Sequence, residues 1–128
     1  MTTESPRLKL HIRIIAGEAL LMGWGRADLL SLIAETGSIA AAGRRMKMSY
    51  KRAWALVEAM NATFRAPVVA TAKGGAGGGG AHLTDLGREI LTAYRAVEDA
   101  AAQAGAGALA ALSAALRDAP VSPDDETR

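Results

Sequence analysis

The sequence predicts a mainly α-helical domain with a small β-hairpin, and three observations carry that expectation. Of its 128 residues, 50% are hydrophobic but only 4% aromatic, so the core is aliphatic and alanine-rich, which suits packed helices better than a sandwich or barrel. Several segments repeat apolar residues every three or four positions, the helical period. Six glycines crowd positions 74–80 between two short apolar runs, the pattern of a hairpin with a long tip. The length fits one domain.

Residues 1–7 read as a flexible start and 8–104 as the domain. Leu8 to Ile14 (LKLHIRI) alternates apolar residues with Lys9, His11 and Arg13, which predicts a half-buried strand. Gly17, Gly23 and Gly25 punctuate the passage to a first helix, from about Arg26 to Glu35. That helix buries Leu29, Leu30, Leu32 and Ile33 and stops at Thr36-Gly37. Ser38 is placed to cap a short helix to about Met46, with the stripe Ile39, Ala42 and Met46. After a tight turn, Ser49 can cap a third helix reaching Phe64. Pro67 to Ala72 is a short strand, and Ala81–Leu83 can return beside it. Thr84 opens the longest helix, to about Ala104, before Gly105 and Gly107 interrupt it. Residues 105–128 read as an alanine-rich segment and a frayed acidic tail. Two short helices around a tight turn, then a hairpin, describe a winged helix-turn-helix. A small α+β domain whose helices merely support a sheet is the alternative. Against it, the strands are few and short, and the basic residues sit on one particular helix.

Composition narrows the chemistry. The absence of cysteine removes disulfides, thiolate metal sites and thiol nucleophiles. His11 and His82 are the two histidines, so neither a metal centre nor a cofactor is expected. No apolar run approaches the ~18 residues of a membrane span, and the first residues lack a signal peptide's apolar stretch; the expectation is a cytoplasmic protein. Serines 31, 38 and 49 have no histidine near them in sequence, which counts against an enzyme.

Charge is segregated along the chain. Residues 1–82 carry 11 Lys and Arg against 5 acids, and residues 83–128 carry 4 against 8. Such asymmetry points to a polyanionic partner for the first part. Arg44, Arg45, Lys47, Lys51 and Arg52 fall within nine residues, and no acid lies between Glu35 and Glu58. On the third helix, at ~100° per residue, Ala53, Trp54, Val57, Met60 and Phe64 share one arc, the core face. Lys51, Arg52, Ala55 and Ala59 lie opposite. Small residues there would let the helix sink into a DNA major groove while Lys51 and Arg52 reach bases or phosphates; a merely solvated basic face is the bland alternative. Ser49 serves as a cap or adds a phosphate contact. Tyr50 sits at the arc's boundary.

The glycine segment, flanked by Lys73 and His82, fits a wing whose bare backbone approaches the sugar-phosphate edge. A flexible linker is the competing reading. A nucleotide-binding loop would need Gly-Lys-Ser/Thr entering a helix, which is not present. Leu83, Leu86, Ile90, Tyr94, Val97, Ala101 and Ala104 follow near-heptad spacing. Part of that stripe must seal the domain's own core, and Leu86, Ile90, Tyr94, Val97 and Ala101 form the expected seam of a homodimer, which makes this a long C-terminal dimerisation helix.

The motifs GSI at 37–39, MSYKRAW at 48–54, GGAGGGG at 74–80 and LTDLG at 83–87 together resemble the N-terminal DNA-binding domain of the ModE family of molybdate-responsive transcriptional regulators. These domains belong with the LysR-type winged helices. The resemblance covers about residues 8–104. It implies that Ser49 to Arg52 open the recognition helix, that Lys73 to His82 form the wing and that the long helix pairs two protomers. Two positions depart from the usual pattern: Gly43 stands where a small alanine is common, and Lys47 where the turn usually has glycine. ModE proteins sense molybdate through C-terminal oxyanion-binding domains, and nothing after residue 105 reads as one, so molybdate binding by this chain is not expected. The reading is a dimeric, sequence-specific bacterial regulator acting on double-stranded DNA. Its rivals are an architectural DNA protein of low specificity, a nucleotide-binding protein using the glycine segment and a pure oligomerisation module.

Overall fold

A computed structural model describes residues 8–75 and 78–117. The expected flexible start at 1–7 and the acidic tail from 118 lie outside the described residues. The described residues divide into two compact units, residues 11–97 and residues 8–10 with 98–117.

The first unit is mainly helical with two antiparallel hairpins. In chain order it contains β1 (Ile14–Ala16), β2 (Ala19–Met22), α1 (Trp24–Thr36), α2 (Ile39–Arg45), α3 (Tyr50–Thr63), β3 (Val69–Gly75), β4 (Gly78–Leu83) and the start of α4 (Asp85–Ala104). Helix α1 packs against α2, α3 and β4. Leu29, Leu30 and Ile33 of α1, Ala42 of α2, Ala53 and Met60 of α3 and Val68 have no exposed surface. At about 1.5–3 kcal/mol for each large aliphatic side chain buried, this cluster is the principal source of stability. Trp54 packs against it from the helix face that the angular pattern assigns it, and Phe64, in extended conformation just past the end of α3, packs there as well.

The expected strand from Leu8 to Ile14 is not formed: residues 8–13 belong to no strand, and β1 starts at Ile14. Pairing begins only at Ile14 and runs Ile14 to Met22, Ile15 to Leu20 and Ala16 to Ala19, with an irregularity after Ile14. The turn, where Gly17 takes φ +64°, a left-handed conformation that glycine adopts without penalty, sets the register. Strand β2 ends at Met22 just before α1 begins at Trp24, so the ladder runs out at Ile14. The chain before it is held by side chains instead. Tyr94 donates its hydroxyl to the Ile12 carbonyl at 2.6 Å, and the His11 ring stacks on Trp24 with centroids 4.1 Å apart. Residues 11 and 12 are therefore pinned at isolated points, and the ladder starts only at Ile14.

The second hairpin pairs Val69 with Leu83, Ala70 with His82 and Thr71 with Ala81. Its strands extend further into the glycine segment than the sequence implies: Gly74 and Gly75 end β3, and Gly78 to Gly80 begin β4. The tip at 76–77 lies outside the described residues. Backbone bonds fasten this hairpin to the helices. The Ala81 amide donates to the Gly37 carbonyl at 2.9 Å and the Thr84 amide to the Val68 carbonyl at 3.0 Å.

Helix α4 turns most of its near-heptad stripe inward. Leu86, Ile90 and Leu91 pack against the core, and Tyr94 is 2% exposed. The assignment of Tyr94 to a seam between protomers is thereby corrected: its ring fills the chain's own core and its hydroxyl is used by Ile12. Val97, by contrast, is 44% exposed.

In the second unit, α4 ends at Ala104, where the Gly105 amide donates to the Ala101 carbonyl at 2.8 Å. Helix α5 (Ala106–Ala114) follows and buries none of its residues. No described helix is long and apolar enough to cross a membrane.

Candidate nucleic-acid interface

The α2–turn–α3 segment is built by local bonds that its sequence specifies. Gly37 ends α1 at φ +72° and donates to the Ile33 carbonyl at 2.8 Å. Ser38 then caps α2, its Oγ accepting from the Ala41 amide at 3.0 Å, and Ser49 caps α3 by accepting from the Arg52 amide at 3.0 Å. Each cap satisfies an amide that the helix itself cannot, typically for about 1 kcal/mol. Between them the chain folds back on α2: the Met48 amide donates to Gly43 O at 3.0 Å and the Lys47 amide to Arg44 O at 3.0 Å.

Both unusual positions have a structural basis. A Cβ at Gly43 would lie 3.0 Å from the Ala53 Cβ, so this glycine permits a close approach of α2 to α3. Lys47 has φ +61°, where a side chain is strained by roughly 1–2 kcal/mol. Lys47→Gly should therefore stabilise the fold by about 0.5–1 kcal/mol after the larger unfolded-state entropy of glycine is subtracted, whereas Lys47→Ala keeps the strain and leaves stability unchanged. Urea denaturation of the two variants checks this. A Gly variant no more stable than wild type would mean that the turn is unstrained.

The cations differ in how well the fold explains them. Arg44 and Arg45 are exposed in the last turn of α2, where the helix dipole favours positive charge. Arg45 also reaches Glu35 at 3.4 Å, an exposed pair of little stabilising value. Lys51 and Arg52 are exposed in the first turn of α3, which contains no acid. There the dipole disfavours each cation, by about 0.3–1 kcal/mol. Ala55 is exposed one turn on, and Ala59 is half-buried. Tyr50 is 57% exposed and meets the Trp54 ring edge-on, with centroids 6.2 Å apart.

Arg45, Lys47, Ser49 and Arg52 line one cleft. Tyr50 lines a smaller hollow of about 310 Å³ with Ser38, Trp54, Thr71 and Gly80, between the helix starts and the second hairpin. His82 is exposed on β4 opposite Ala70. Lys73 lies on β3, and its side chain is outside the described residues. Among the described residues no three His, Asp or Glu side chains are grouped to hold a metal.

Sequence reasoning passed over Asn61 and Arg26. Asn61, near the end of α3, accepts from the Val68 and Val69 amides at 2.7 and 3.1 Å and donates to the Val69 carbonyl at 3.2 Å. Its weak helix propensity was the available signal. Arg26 lies in the first turn of α1, half-buried, and donates from Nη1 to the Leu20 carbonyl at 3.1 Å. Burial lowers the pKa of its guanidinium from the usual value.

No protein-family profile matches this sequence. Individual relatives do. It is 52% identical over 77 residues to the molybdenum-pterin-binding protein MopB of Rhodobacter capsulatus, a match covering 60% of this chain and 28% of that protein. It is 44% identical over 73 residues to the molybdenum transport protein ModE of Azotobacter vinelandii, covering 57% of this chain and 27% of that one. With the DNA-binding transcriptional dual regulator ModE of Escherichia coli K12 the identity is 41% over 69 residues, or 54% of this chain and 26% of the regulator. None of these names describes an enzyme. The chain thus spans between about a quarter and a third of the length of the curated relatives it matches, and its similarity is to that portion of ModE and Mop proteins.

Proposed function

We propose that α2, its turn and α3, with the β3–β4 hairpin as a wing, form a winged helix-turn-helix that binds double-stranded DNA in a ModE-type transcriptional regulator. One observation carries the reading: Lys51 and Arg52 stand exposed at a helix start where the dipole opposes them and no acid compensates. A fold that accepts such a local penalty does so for a partner, and a polyanion is the partner this arrangement suits. Lys51 and Arg52 read base edges, with Ala55 and Ala59 leaving room for α3 to enter the major groove. Arg44, Arg45, Lys47, Tyr50 and the hairpin flanks Lys73 and His82 contact the phosphate backbone. The names of the ModE relatives support this assignment. The glycines favour a wing over a nucleotide loop, because those described lie in paired strands. Molybdenum-pterin, which names MopB, is not assigned to this chain.

Competition between genomic fragments and random duplex tests the proposal, since regulators typically prefer their site by ~10³-fold or more. Arg44→Ala and Arg45→Ala should weaken all sequences alike and lower the salt slope by about 0.9 per lost phosphate contact. Lys51→Ala and Arg52→Ala should also relax base preference, by ~1–3 kcal/mol at the contacted pair. Binding that survives all four substitutions defeats the docking face; binding without site preference leaves an architectural protein.

The proposal includes a homodimer, because one such module reads only a few base pairs and a two-fold pair reads an inverted repeat with half-sites ~34–36 Å apart. Leu86 and Ile90 are occupied largely by the chain's own core, so Val97, with Ala101 beyond it on α4, is the part of the seam left to a second copy. Val97→Asp should yield folded monomers that bind a half-site weakly, as sedimentation and footprinting would show. A wild-type monomer protecting an asymmetric site would overturn the dimer.

A further inference from the structure

Beside the proposed DNA face, a cleft of about 1110 Å³ opens between the β1–β2 hairpin, the start of α1 and the α2–α3 turn. Its charged lining is one-sided. Arg13, Arg26, Arg45, Lys47 and Arg52 face it against one acid, Asp28, and that acid already accepts from Arg95 at 2.9 Å. Among the described residues, Arg13, Arg26, Lys47 and Arg52 form no ion pair. Arg26 is the anchored member. Its Nη1 is fixed to the Leu20 carbonyl, while its enclosed Nε has no hydrogen-bond partner. Leu20, Trp24 and Leu32 contribute apolar wall, and charges beside such walls interact more strongly than in open water. Neither a side-chain cap nor an acid occupies the first turn of α1.

We propose that this cleft is a binding site for a phosphate-class oxyanion, held by Arg26 with Arg13. A positively lined cleft whose one lining acid is engaged by Arg95 is short of negative charge, and the guanidinium N–H groups that Arg26 and Arg13 retain can donate to phosphate oxygens. Two sources supply this chemistry: a DNA backbone phosphate beyond those met by α3, or a free dianion. The first source rests on the DNA-binding reading; the second does not.

Inorganic phosphate is titrated into the full chain at constant ionic strength, following the amide resonances of Trp24, Gly25 and Arg26. Saturable shifts are expected, with affinity reduced at least tenfold in Arg26→Gln and largely restored in Arg26→Lys. Arg13→Ala, an exposed substitution, serves the same purpose should Arg26→Gln fold poorly. Phosphate-ethylation interference on bound DNA separates the sources. Loss of interference at a flanking phosphate in either variant assigns the site to DNA; saturable phosphate binding with unchanged interference assigns it to a free oxyanion. Shifts that never saturate, or that are identical in the variants, together with unchanged interference, overturn the proposal. If instead Lys51→Ala and Arg44→Ala leave DNA affinity untouched while phosphate still saturates the cleft, the DNA reading fails and this site stands.

Discussion

Gly87→Ala should cost the fold about 3 kcal/mol or more, a large fraction of the 5–15 kcal/mol that holds a typical domain together. A Cβ at this position would lie 2.1 Å from the Val68 carbonyl oxygen and 3.0 Å from its carbon. Both are backbone atoms of the fully buried Val68, so no side-chain rotation relieves the clash. The same carbonyl accepts from the Thr84 amide at 3.0 Å, and Thr84 Oγ1 in turn accepts from the Gly87 amide at 2.9 Å and donates to Pro67 O at 2.8 Å. Moving α4 away to admit a methyl group would break this set of bonds and lift Leu86 and Tyr94 from the core. The ~1 kcal/mol that alanine gains over glycine in a helix is too small to compensate. Gly107→Ala in α5 is the matched control: its Cβ would meet nothing within 4 Å, and stability should hold or rise slightly. Urea denaturation of both variants decides the point, and equal stability would show that the α4 start tolerates displacement.

Gly87 also shows what was legible in the sequence. The LTDLG motif marks the start of α4, and Ser38, Ser49 and Gly37 mark the ends of α1 to α3, because caps and left-handed turns depend on residues adjacent in the chain. The core face of α3 was legible for a similar reason, since its period is local. The first hairpin was not. Its extent depends on which residues find a partner, and Ile12 finds the Tyr94 hydroxyl, 82 positions away, instead of a neighbouring strand. That long-range bond is also why Tyr94 fits a heptad seam in sequence while belonging to the core in space. At the candidate site, Lys51 and Arg52 could be placed outward from helical angle alone. The cleft around Arg26 could not, because Arg13, Arg26 and Arg52 are brought together only by the packing of separate elements.

Asn61→Ala should destabilise by about 2–4 kcal/mol, because it removes the acceptor of two backbone amides and the donor to one carbonyl at a single stroke. Val68 is fully buried and Val69 is 3% exposed, so water cannot readily replace the lost partners, and each unsatisfied buried group costs about 1–3 kcal/mol. The higher helix propensity of alanine returns only ~0.5 kcal/mol. Asn61→Asp separates the contributions. A carboxylate can accept from both amides, and more strongly than a neutral amide oxygen does, but it cannot donate to the Val69 carbonyl 3.2 Å away. It should therefore lie between wild type and alanine. Hydrogen exchange at the Val68 and Val69 amides reads the clamp directly, with faster exchange in Asn61→Ala and partial protection in Asn61→Asp. Because these bonds fix the base of β3 to the end of α3, the alanine variant should also weaken DNA binding if the hairpin is a wing, although Asn61 lies far along α3 from Lys51 and Arg52. Stability within 0.5 kcal/mol of wild type would show that the hairpin is held by its apolar contacts alone.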